Sequence, residues 1–111
     1  MTRNTWHILN EDGALTMARR VPVRFDLGVT THLPGGDRLR LAQQVRQDVW
    51  RALQNLRGFA PAIRVAECAN GLEITAGGQV DGVIPRKAAE ARIAEVLENP
   101  ANRARWQRWA S

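Results

Sequence analysis

Between residues 15 and 29 the apolar side chains keep to odd positions: Leu15, Met17, Val21, Val23, Phe25, Leu27 and Val29. Thr16, Arg20, Arg24 and Asp26 fall between them. Successive side chains of a strand point to opposite faces, so this period of two predicts one half-buried strand, or two in line. Its odd side is expected to face a core and its even side solvent. Pro22 has no N–H to give to a ladder, which predicts an edge position or a break there. Upstream, Trp6, His7, Ile8 and Leu9 read as a short strand, and Glu11, Asp12 and Gly13 as the turn that joins the two. The first unit is a β-hairpin.

Residues 30–37 are dense in turn formers and predict a loop. A helix follows over about 37–56, with Asp37 as N-cap and Gly58 as the stop beyond it. Its apolar positions, Leu41, Ala42, Val45, Val49, Ala52, Leu53 and Leu56, recur in steps of three and four and form one stripe. Arg40, Gln43, Gln47, Arg51 and Gln54 occupy the other side, and Trp50 borders the stripe. Strand periodicity then returns, with Ile63 and Val65 around Arg64, and Leu72 and Ile74 around Glu73. Asn70 and Gly71 between them mark a hairpin, because both residues tolerate positive φ. Gly77 and Gly78 are expected to break or bend the second of these strands, with 80–84 extending it or starting a fifth. A second helix opens at Pro85, buries Ala89, Ile93, Val96 and Leu97, and ends at Asn99 and Pro100. A helical tail, 101–110, remains.

The order is ββαββα. It predicts a single α+β domain over 1–111, a two-layer sandwich with a mainly antiparallel sheet of four to five strands and two main helices on one face. The section from the strand near 21–29 through the second helix supplies βαββα of a βαββαβ pattern, so the arrangement is ferredoxin-like in part. A shared topology carries no function with it.

Composition narrows this picture without changing it. A chain of 111 residues with 44% apolar content suits one hydrophobic core. No apolar run reaches the roughly 18–20 residues of a membrane helix, so no membrane span is expected. The first residues carry charge but no apolar stretch or small-residue cleavage site, unlike a secretory signal. The single Cys68 cannot make an internal disulfide. Together these features point to the cytoplasm. The net charge of +5 raises the case for nucleic acid. However, 15 of the 16 basic residues are arginine, and they are scattered. A GC-rich genome explains that bias as readily as a function does.

Candidate chemistry is sparse. The glycines of 31–37 precede a helix and could cradle an anion, but neither a P-loop nor a dinucleotide spacing is present. Those at 77, 78 and 82 read more simply as a bent strand. His7, His32 and Cys68 show no ligand spacing, so neither a metal nor a cofactor is expected. Cys68 reads as a small half-buried thiol rather than a nucleophile. Nothing in the spacing of Asp26, Asp37, Glu67 and Asp81 requires them to meet. Arg20, Arg24 and Arg64 point to the open face of the sheet and could contact phosphates, yet no aromatic platform for bases accompanies them. In the tail, Arg103, Arg105 and Arg108 interleave with Trp106 and Trp109. These indoles either close the core or form a partner surface; core closure is favoured, since a Trp offers the largest apolar area in so small a domain. The sequence thus points to a non-catalytic binding or assembly module, acting through a protein partner or through self-association. The alternatives are a weak, sequence-independent nucleic-acid binder, or a small enzyme whose pocket holds His7, His32, Asp26 or Asp81 beside an arginine.

Overall fold

The alternating apolar pattern yields two strands that end far apart. In the computed structural model, which describes residues 6–111, β1 (His7–Glu11) and β2 (Ala14–Ala18) form the first hairpin, and β3 (Leu27–Leu33) follows separately. Helix α1 (Arg38–Ala52), strands β4 (Phe59–Cys68) and β5 (Gly71–Val80), and helices α2 (Arg86–Glu98) and α3 (Pro100–Ala110) complete the chain. The five strands make one sheet in the order β1-β2-β4-β5-β3, with every pairing antiparallel. The α+β two-layer architecture is therefore as expected. Its likeness to a ferredoxin-like order is loose: β4-β5-β3 with α1 and α2 follows that pattern, but among the described residues no strand lies on the outer side of β3. The hairpin β1-β2 instead extends the sheet beyond β4.

Leu15, Met17, Ile63, Val65, Leu72, Ile74, Leu27 and Leu33 share one face of the sheet. They pack with Leu41, Val45 and Val49 of α1, Ile93 and Leu97 of α2, and Trp106 of α3. The strict burial of odd positions from 15 to 29 fails in the middle. Residues 19–26 form a loop containing the cis Val21–Pro22 bond, with Val21 exposed and Val23 and Phe25 half-buried outside the core cluster. The second face explains this. Across it, Ala18, Ala62, Gly77 and Gly28 lie in one row by register. These side chains are too small to fill the surface above them. Phe25 lies against that row, its Cβ 3.8 Å from where a Cβ on Gly28 would sit. An apolar residue on the solvent side of the sheet thus imitated a strand period. The expected turn at 30–33 is likewise strand, with Thr31 and Leu33 buried.

Gly77 and Gly78 neither break nor end β5. A Cβ on Gly77 would strike the Leu27 carbonyl, and one on Gly78 the Ala60 carbonyl. Both glycines therefore permit close approach of the neighbouring strands. The hairpin turn between Cys68 and Gly71 uses positive φ at Gly71 only, since no other residue type adopts it among those described. Pro61 sits in β4 one residue beyond the register with β2; its carbonyl accepts from the Arg19 N–H, and the reciprocal bond is the one its missing N–H forgoes at this end of the ladder.

Asp37 caps α1 as expected, accepting from the Arg40 N–H at 2.9 Å. The tail is a full third helix that docks on this end. Asp37 N–H donates to the Ala110 carbonyl at 2.7 Å, and Gln107 Nε2 donates to the Gly35 carbonyl at 2.8 Å. The glycine loop proposed as an anion cradle is thus occupied by the chain itself.

Candidate anion-binding cleft

On α1, Arg46 and Trp50 are four residues apart and project from the same flank, one step round from the buried Val45 and Val49. Trp6 enters β1 on the side of Ile8, which faces the helix layer, and Arg19 follows directly on β2. These four side chains meet at the β1-β2 end of the molecule and line a cleft of about 400 Å³. Two guanidinium groups lie over the Trp6 ring, with Arg46 Cζ 4.8 Å and Arg19 Cζ 5.5 Å from its centroid. Such stacking contributes about 0.5–2 kcal/mol per cation, depending on desolvation. A second cleft, about 180 Å³ and lined in part by Arg20, Phe59 and Pro61, shares Arg19 and Trp50 with the first.

The electrostatics of this cleft are incomplete. Arg46 Nε is buried and has no hydrogen-bond partner among the described residues. Burial, followed by the positive charge of Arg19, pulls the Arg46 pKa below the ordinary arginine value. Among the described residues, no carboxylate lines either cleft. An orphaned donor of this kind costs about 1–3 kcal/mol, and more when charged. A carboxylate or phosphate entering beside Arg46 would satisfy this donor with a charge-assisted hydrogen bond.

The arginines singled out in the sequence do not converge here. Arg20 pairs with Asp81 at 2.7 Å, tying the 19–26 loop to the end of β5, and Arg24 pairs with Asp26 at 3.0 Å within the loop. The Val80 N–H, then Arg24, holds the Asp26 carboxyl below its usual range, and Arg20 does the same for Asp81. Arg64 is half-buried on the open face of β4. Arg103 donates to Thr31 Oγ1 and to the Leu97 and His32 carbonyls. Arg105 pairs with Asp48, and Arg108 is exposed near the end of α3. Four of the six thus serve within the fold, while Arg64 and Arg108 stand apart.

The two tail indoles divide. Trp106 is fully buried and donates Nε1–H to Asp48 Oδ2 at 2.7 Å. Trp109 is 61% exposed, against the expectation that both would close the core. The core covers only the flank of α3 that carries Trp106 and Ala110, and Trp109 falls beyond it, beside Arg40, Gln43 and Gln44. His32 lies 3.5 Å from Glu73, and His7 is exposed on β1. Neither histidine, nor Asp26 or Asp81, lines any of the four clefts described for this surface. Cys68 is exposed rather than half-buried, because it ends β4 at the hairpin. Among the described residues, no group of three or more His, Cys, Asp and Glu could hold a metal ion, and no helix is long and apolar enough to cross a membrane.

Arg46, Trp50 and Trp6 were missed as a site. The four-residue spacing of Arg46 and Trp50 was visible on the helix. What joins them to Trp6 and Arg19 is a packing of β1-β2 against α1 that no local spacing encodes. Comparison of the chain with protein-family models, with curated proteins and with solved structures returns no match.

Proposed function

We propose that the protein is a non-catalytic binding module that holds an acidic segment of a protein partner, one carboxylate seated on Arg46 between the Trp6 and Trp50 indoles. The observation that carries this reading is the buried Arg46 Nε, which has no acceptor among the described residues, in an open cleft that none of the described carboxylates lines. Trp and Arg are the side chains that dominate binding energy at protein interfaces. Nucleic acid fits less well, since it needs a track of free cations along its phosphates. Four of the six candidate arginines are already held by groups of this chain.

Isothermal titration of the full chain with a Glu-rich peptide, a single-stranded oligonucleotide and inorganic phosphate tests the proposal. Peptide binding that weakens with salt, and falls at least tenfold in folded Arg46→Met, is the expected result. Peptide binding unaffected by Arg46→Met, or no peptide binding at low salt, overturns it. Arg46-dependent binding of the oligonucleotide alone replaces it with the nucleic-acid reading.

A further inference from the structure

The two edges of the sheet are finished differently. In an antiparallel ladder, alternate residues direct both backbone polar groups to one neighbour and the rest to the other. Arg19 N–H donates to the Pro61 carbonyl and Glu67 N–H to that of Gly13, so the odd residues of β2 bond to β4. Its even residues therefore bond to β1. By register these face His7, Leu9 and Glu11, which leaves the backbone groups of Ile8 and Asn10 pointing off the edge. The same count along β5 leaves Gly28, Thr30 and His32 pointing off the β3 edge. That edge is covered: Gly28 N–H donates to Glu90 of α2, and the His32 carbonyl accepts from Arg103 of α3. Among the described residues nothing covers Ile8 or Asn10, and all five residues of β1 are exposed.

We propose that the β1 edge pairs with β1 of a second copy of this chain, antiparallel and centred on Leu9. A two-fold axis at Leu9 sets each residue opposite the one whose number completes a sum of eighteen. Ile8 then faces the partner's Asn10, and these are the residues whose N–H and C=O groups are free, so four backbone hydrogen bonds form around the axis. His7 faces the partner's Glu11 on both sides, an imidazole N–H donor against a carboxylate. Leu9 meets its own copy at a narrow, non-hydrogen-bonded pair, where side chains lie closest. Ile8 and Leu9 are 45% and 40% exposed in the single chain, so both have apolar surface to bury. Shifting the register by one residue would place backbone groups already bonded to β2 at the seam. A shift of two would set Leu9 opposite Glu11 or opposite His7, and would lose the pairing of His7 with Glu11 on both sides. The hydrogen-bond phase and the charge pattern thus select one register. A five-residue seam is small against the roughly 1,200–2,000 Å² of a stable interface, so the dimer is weak and concentration-dependent.

Sedimentation velocity of the full chain across a wide concentration range tests this, with circular dichroism confirming the fold of each variant. The parent is expected to shift from monomer to dimer as concentration rises. Asn10→Pro removes an outward N–H and no ladder bond within the chain, and Leu9→Lys sets two ammonium groups face to face; each should keep the protein monomeric throughout. Glu11→Lys should weaken the dimer at least tenfold, and adding His7→Glu should restore it. A parent that stays monomeric overturns the proposal. So does a dimer that survives Asn10→Pro and Leu9→Lys, or a charge swap that fails to restore pairing in folded protein.

Discussion

Helix α1 carries an arginine–tryptophan neighbourhood on each of two flanks, and among the described residues an acid pairs with the α1-flanking arginine of one of them, through Asp48. Toward α3, Asp48 accepts from both Trp106 Nε1 and Arg105, so indole and guanidinium share one carboxylate. Toward β1-β2, two residues earlier on the helix, Arg46 stacks on Trp6 beside Arg19, and its Nε finds no acceptor among the described residues. The chemistry of the two clusters is the same except for that carboxylate. The closed cluster is a piece of the core, with Trp106 fully buried. The open cluster borders a cleft with Trp50 half exposed. A fold that buries a charge normally supplies its counter-charge, because removing one partner of such a pair is costly. On the proposed function, an acidic side chain of a partner would do at Arg46 what Asp48 does within the chain.

Substitutions separate the two clusters by size of effect. Trp106→Ala empties a core position and frees Asp48 of one donor. It is expected to cost about 3–5 kcal/mol, a large part of a small domain's stability, as read by urea denaturation. Asp48→Ala leaves the Trp106 N–H without its acceptor and is expected to cost about 1–3 kcal/mol in the same assay. Arg46→Met has the opposite sign. It exchanges an orphaned buried donor for an apolar chain of similar reach and removes the repulsion from Arg19. The loss of stacking on Trp6 offsets part of this gain, so the variant is expected to melt at or above the parent, by up to about 1–2 kcal/mol. A clear destabilisation by Arg46→Met would make this arginine a structural member like Arg105. Trp109→Ala, on the same helix as Trp106 but exposed, is expected to change stability by no more than about 0.5 kcal/mol.

The elements were largely readable because their periods are local. The 3.6-residue stripe of α1, its Asp37 cap, the β4–β5 hairpin and the stop at Asn99 each depend on neighbours in sequence. What escaped the sequence depends on partners distant along the chain. Val21, Val23 and Phe25 kept the strand period, but the small row formed by Ala18, Ala62, Gly77 and Gly28 draws Phe25 onto the other face. Trp106 and Trp109 share a helix, yet which of them meets the core was decided by where α3 docks on the α1 N-terminus. The arginines of 20, 24, 103 and 105 read as free cations because Asp81, Asp26, Thr31 and Asp48 lie 2 to 72 residues away from them in sequence. Trp6, Arg19, Arg46 and Trp50 looked unrelated for the same reason.

The central claim is that Arg46 Nε–H is a donor waiting for an acid, and its own resonance reports on that directly. In ¹⁵N-labelled full-length protein, the Arg46 Nε–Hε signal, assigned by its loss in Arg46→Met, is followed while a Glu-rich peptide is added. The account predicts a saturable downfield shift of that proton and slower exchange with water, with the Arg105 signal unmoved because that guanidinium already pairs with Asp48 through Nη2. An Arg46 signal unchanged in shift and in exchange rate at saturating peptide would contradict it.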